Sequence, residues 1–139
     1  MSTLFRKRRP TGAADSTERR VMVIRINKRS LQKILSGQVK SPTKCVIKFY
    51  STNCHYCHAL KPAYESVSDE YGQIEFFAFN VTDYPEIENI LGFEGVPTIM
   101  MIESGKENPV RKMIEEPVDP DKKTWYTKDN IRDFIREVL

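Results

Sequence analysis

Apolar positions along the chain alternate between a β-like and a helical period, and the alternation predicts most of the elements. Val21-Met22-Val23-Ile24-Arg25-Ile26 is rich in β-branched residues and reads as a short strand. Leu31, Ile34 and Leu35 then fall on one helical face, with Asn27 placed to cap the helix and Gly37 to stop it. After a Ser41-Pro42-Thr43 loop, Cys45 to Tyr50 is nearly continuous apolar sequence, as expected of a strand covered on both faces in the middle of a sheet. Lys48 interrupts that run. From Cys54 to Tyr71 the residues Leu60, Ala63, Tyr64, Val67 and Tyr71 recur at helical spacing, and Gly72 ends the segment. Pro62 lies inside it, and because proline lacks the backbone donor and crowds the preceding turn, a kink is expected near Ala59 to Leu60.

The second half continues the alternation. Ile74 to Val81 predicts a strand, and Tyr84 to Leu91 a short helix with Pro85 in its first turn and Gly92 after its end. Thr98 to Ile102 predicts a strand, with Ser104-Gly105-Lys106 as a turn and Val110 to Ile114 returning antiparallel. Glu115 to Tyr126, with Pro117, Pro120 and many charged side chains, reads as a loop. Thr127 is placed to cap a last helix whose apolar side is Ile131, Phe134, Ile135 and Val138. Strands separated by helices predict the α/β class.

Composition narrows this further. A chain of 139 residues with 40% hydrophobic and 29% charged side chains is the size and character of one globular domain. Apolar runs such as Ile99 to Ile102 fall far short of the roughly 18 residues that cross a bilayer. Arg6-Lys7-Arg8-Arg9-Pro10 near the start is followed by polar residues and no apolar run of a secretory signal, so the expected location is cytoplasmic. The net charge of +3 is unevenly placed: residues 1 to 20 hold six basic and two acidic side chains, a balance of +4, leaving the rest at −1. This predicts a basic, disordered arm over 1–20 and a near-neutral domain over 21–139, and confines any expected nucleic-acid contact to the arm.

Three cysteines are too few for a disulfide framework, but two have the spacing Cys54-x-x-Cys57 at a strand-to-helix junction. Oxidised, such a pair closes a small ring; reduced, it offers two adjacent thiols. A cysteine at a helix start receives backbone N–H groups and the positive end of the helix dipole, which favours thiolate. Cys57, one turn further in, is expected to be the less reactive partner. Cys54-His55-Tyr56-Cys57-His58 also fits the C-x-x-C-H haem-attachment pattern, with His58 as axial ligand. Zinc held by the two cysteines and the histidines is a further reading, although no second ligand cluster accompanies it.

The chain resembles the thioredoxin superfamily in the strand Cys45 to Tyr50, the Cys54-His55-Tyr56-Cys57 motif, Pro62 five residues on, and Gly92-Phe93-Glu94-Gly95-Val96-Pro97-Thr98. The resemblance spans about residues 21 to 139. It implies a thioredoxin fold, a central mixed β-sheet flanked by helices on both faces, with Cys54 as attacking thiolate, Cys57 as resolving thiol and Pro97 in the cis form. It also implies that Val96, Pro97 and Thr98 bind substrate, and that protein disulfides are exchanged with no cofactor beyond the cysteines, a thioredoxin reductase or glutathione recharging them. A thioredoxin-fold module that only binds partners, through the arm or the 115–126 loop, is the alternative.

The pattern departs from the family in three places. Asn53 stands where a tryptophan usually precedes the first cysteine, and the sole tryptophan, Trp125, is in the late loop. Lys48 stands where thioredoxins carry a buried acid, and that acid's lysine partner falls at Ala78. Lys48 beneath the cysteines would favour thiolate and a more oxidising protein; alternatively its stem packs while its head reaches water. His55 can hold thiolate as an imidazolium, Tyr56 matches glutaredoxin-like motifs, His58 shares a helical face with Cys54, and Cys45 reads as a small buried hydrophobe.

Overall fold

The computed structural model describes residues 23–105 and 107–139. Strand β1 (Val23–Arg25) leads into α1 (Lys28–Leu35), whose first turn is closed by the Asn27 side chain accepting from the Ser30 N–H at 2.9 Å. Strand β2 (Lys44–Tyr50) and helix α2 (His55–Glu70) follow, then β3 (Glu75–Asn80), a 3₁₀ turn (Val81–Asp83), α3 (Ile87–Leu91), the hairpin β4 (Thr98–Glu103) and β5 (Val110–Met113), and α4 (Lys128–Val138). Thr127 caps α4 reciprocally with Asn130, each side chain accepting from the other's backbone N–H.

The five strands form one sheet in the order β1-β3-β2-β4-β5. β1, β3 and β2 run parallel, and β4 and β5 are antiparallel additions. This is the mixed α/β sheet expected from the resemblance, and β2 occupies its centre, which explains the apolar run of that strand. Alternate residues of β2 enter different layers. Ile47 and Phe49 pack with Leu31 and Ile34 of α1 and Ile87 of α3, whereas Val46 packs with Leu60, Tyr64 and Val67 of α2 and Ile131 and Phe134 of α4. Helices therefore flank both faces. Tyr64 ties α2 to the sheet, its hydroxyl reaching the Phe77 carbonyl at 2.7 Å and the Val46 carbonyl at 3.1 Å.

Some boundaries differ from expectation. The short helix begins at Ile87 rather than Tyr84, because Asn80 caps a 3₁₀ turn first, accepting from the Thr82 N–H at 3.0 Å, and Pro85 falls in the turn before the helix. α2 includes Pro62, whose ring is exposed. The arm over 1–20, Val21, Met22 and Lys106 lie outside the described residues.

Candidate active site

Strand β2 ends at Tyr50, and the chain turns through residues 51–53 into the first turn of α2. That turn is pinned from several sides. The Asn80 amide donates to Thr52 Oγ1 at 3.0 Å, the Thr52 N–H donates to Thr82 Oγ1 at 3.3 Å, and His58 Nε2 donates to the Thr52 carbonyl at 2.8 Å. Cys54 is the N-cap residue of α2, and its Sγ accepts from the Cys57 N–H at 3.1 Å. A cap position that normally holds Ser, Thr or Asp is thus held by sulfur, which meets a backbone donor and the positive helix end; both stabilise a thiolate after reduction.

Cys54 and Cys57 form a disulfide with their Cα atoms 5.2 Å apart. Cys57 is 1% exposed while Cys54 is half-buried, so an incoming sulfur can reach Cys54 and not Cys57. Pairing of β4 with β2 places Thr98 opposite Phe49, which brings the segment just before Thr98 up to the motif. The Val96-Pro97 peptide there is cis, and the Val96 carbonyl oxygen lies 3.7 Å from Cys54 Sγ, within reach of a thiol donor in the reduced protein. Gly95, at φ +88°, supplies the left-handed backbone that delivers the chain to this point.

Lys48 is 5% exposed, on the face of β2 that α2 covers. Its Nζ lies 5.3 Å from the Tyr64 ring centroid and 5.7 Å from that of Tyr50, so its head is not out in open water. Burial lowers its pKa from 10.5 to about 8; Glu65 opposes the shift, and Lys61 and Arg25 add to it. Arg25, Ala78, Lys48 and Ile99 form one row across four strands. Ala78 does stand beside Lys48, where the family's acid and lysine would face each other.

His55 is exposed and stacks on Tyr56 with ring centroids 4.4 Å apart. Cys45 is buried, and burial with the nearby Glu75 pushes its thiol up to about 12, which leaves it inert as a nucleophile. Among the described residues, no three His, Cys, Asp or Glu side chains gather as a metal site would need, and no helix is long and apolar enough to cross a membrane.

Sequence reasoning did not find the neighbour supplied by the 115–126 loop. Trp125 packs edge-on against Tyr56, with ring centroids 5.5 Å apart, and its Nε1 donates to Glu116 Oε1 at 2.9 Å. The adjacent Tyr126 is fully buried; its hydroxyl faces the Thr98 side chain without a hydrogen bond of good geometry, and burial together with Glu116 pushes it up to about 12. The only available hint in the sequence is that a lone tryptophan sits in an otherwise polar loop.

Residues 22–123 match the family model Thioredoxin. Thioredoxin H2 from Arabidopsis thaliana is 21% identical over 108 residues, covering 77% of this chain and 81% of the relative. Thioredoxin H2-2 from Oryza sativa subsp. japonica is 27% identical over 107 residues, covering 76% and 78%. The Trx4 domain of ERdj5 superposes with a TM-score of 0.64 at 17% identity, over 85% of this chain and 96% of that one. Chloroplastic thioredoxin z gives a TM-score of 0.59 at 20% identity, over 85% and 95%.

Proposed function

The chain belongs to the thioredoxin family, and from that premise we propose that this thiol–disulfide oxidoreductase reduces, or exchanges, protein disulfides through Cys54 and Cys57. The observation that carries the reading is Cys54 itself: a half-buried residue whose sulfur caps a helix and lies 3.7 Å from the Val96 carbonyl. In the reduced protein the Cys54 thiolate attacks one sulfur of a substrate disulfide; a mixed disulfide forms and the other substrate sulfur leaves as thiolate, taking a proton from solvent. Cys57 then gives up its proton and attacks Cys54 Sγ. The mixed disulfide breaks, the second substrate thiol departs, and the protein is left as the Cys54–Cys57 disulfide with the substrate two electrons richer.

The backbone of Val96 beside Pro97 is suited to pair with an extended substrate segment, with Thr98 buried behind it. Lys48 is a positioning residue in this reading. A buried ammonium on the sheet face beneath α2 favours the charged, reduced form of the pair and raises the potential. A thioredoxin reductase or glutathione as electron donor, and action in the cytoplasm, complete the proposal. His55, on the outer side of the Tyr56 ring, belongs to the rim of the site.

The test is turbidimetric reduction of insulin, run in parallel with dithiothreitol, glutathione and a thioredoxin reductase as donors. Turnover is expected with wild type and is expected to vanish in Cys54→Ser. Equal rates in the two proteins would overturn the assignment. Partner capture by Cys54→Ser in the absence of any wild-type turnover would favour the pure binding module instead.

A further inference from the structure

The residue that usually flanks the first cysteine in this family is a tryptophan, and here Asn53 is exposed in its place. The structure brings a tryptophan to the motif by another route. Trp125 lies against Tyr56, and Tyr56 against His55, so three rings form a continuous row along the outer side of the Cys54–Cys57 turn.

Trp125 is held there against its backbone preference. Its φ is +69°, a left-handed conformation that for a bulky side chain costs on the order of 1 kcal/mol or more. Several hydrogen bonds enforce it. Asp121 and Trp125 exchange both backbone bonds at 3.0 Å, while the Asp121 carboxylate accepts from the Lys123 N–H at 2.8 Å and the Thr124 N–H at 3.0 Å. Glu116 then fixes the indole. Core filling accounts for only part of this construction: one side of Trp125 packs against the layer that the fully buried Tyr126 completes, but the indole stays half-buried, with its Nε1 bonded to an exposed carboxylate. Strain that the surroundings over-determine, on a residue at the rim of a reactive site, points to a use for the ring.

We infer that Trp125 is a specificity-determining residue whose indole packs against an apolar side chain of the substrate polypeptide close to the disulfide that Cys54 attacks. This deepens, and rests on, the disulfide-exchange reading. The geometry fits a polypeptide in particular: Cys57 is sealed, Val96 closes on Cys54 Sγ, and the aromatic row extends the approach surface beyond the sulfurs. A disulfide without a peptide chain has nothing to place on it.

The inference is tested with Trp125→Asn, which removes the ring but tolerates a left-handed backbone, and Trp125→Phe, which retains a ring. Each is assayed on insulin and on 2-hydroxyethyl disulfide, with the alkylation rate of Cys54 as a control. Trp125→Asn is expected to raise KM for insulin by about five- to tenfold with kcat little changed, while 2-hydroxyethyl disulfide turnover and Cys54 alkylation stay at wild-type levels; Trp125→Phe should recover most of the loss. An unchanged KM for insulin in folded Trp125→Asn overturns the inference. So does an equal loss on both substrates with altered alkylation, which would make Trp125 a prop for Tyr56.

A second measurement keeps the ring in place. In reduced Cys57→Ser, Cys54 attacks the disulfide of a symmetric peptide dimer with leucine or phenylalanine beside each cysteine, one peptide leaving as free thiol and the other staying as a mixed disulfide; the emission of Trp125, the sole tryptophan, should then shift, whereas the dimer with glycine there should leave it unmoved. Identical emission in the two adducts overturns the inference. If the wild type turns over neither disulfide, the functional reading itself fails and takes this one with it.

Discussion

Ile47 and Phe49 of β2 lie in a layer of aliphatic and phenyl side chains under α1 and α3, whereas Val46 and Lys48, on the other face of the same strand, lie under α2, where the Lys48 ammonium is buried in a layer that also holds the hydroxyls of Tyr64 and Tyr126. One strand thus separates an apolar layer from a second apolar layer that also carries a buried charge. The redox helix covers the second. Desolvated polar groups lower stability, and they also act strongly on nearby charge because little water screens them. Truncation in the first face should therefore change stability alone, whereas changes at the buried charge of the second should also reach thiol chemistry.

The largest stability effect is expected from Ile47→Ala. Ile47 is fully buried between α1 and α3, and truncation should cost about 2–5 kcal/mol in urea unfolding of the oxidised protein. The pH midpoint for Cys54 alkylation in the reduced protein should stay where it is in wild type. A shift of that midpoint would break the division between the faces.

Lys48→Met probes the other face and should move both quantities. Between pH 8 and 10.5 the unfolded chain holds a proton on Lys48 that the folded protein has released, so wild-type stability rises with pH through that window; below about 8 the burial penalty is fully present. Lys48→Met lacks this penalty. It should therefore be the more stable protein near pH 7, by roughly 1–3 kcal/mol, and should lose that advantage by pH 10.5. Its reduction potential should fall by some tens of millivolts, about 30 mV corresponding to 1.4 kcal/mol. Equal potentials in the two proteins would remove Lys48 from the redox chemistry while leaving the stability argument untouched.

The smallest effect belongs to the start of α4. Thr127→Ala removes one half of a reciprocal cap directly after the Trp125 loop and should cost about 1 kcal/mol by thermal melting. Cys54 reactivity should not change. A fall in insulin turnover beyond that explained by stability would mean that the cap also sets the position of the loop.

Much of the frame was legible because it is written in short-range signals. The continuous run at Cys45 to Tyr50 located the central strand, Asn27 and Thr127 marked helix starts through bonds to residues three positions away, and the Cys54 and Cys57 spacing fits one helical turn. Misplacement occurred where two local signals competed. Pro85 suits a first helical turn, yet Asn80 captured the preceding residues into a 3₁₀ turn and delayed the helix to Ile87.

By itself the sequence determined which segments coil or extend and which sulfur caps a helix, since those depend on residues within about four positions of one another. Tertiary structure alone decided that Lys48 lies buried over Tyr64, that Val96 comes to 3.7 Å from Cys54 Sγ, and that Trp125 reaches Tyr56 from a distant loop. Those neighbours follow from strand order, sheet register and a left-handed backbone at Trp125, and no local spacing encodes contacts that form only when the β2–β4 pairing and the packing of α4 close around them.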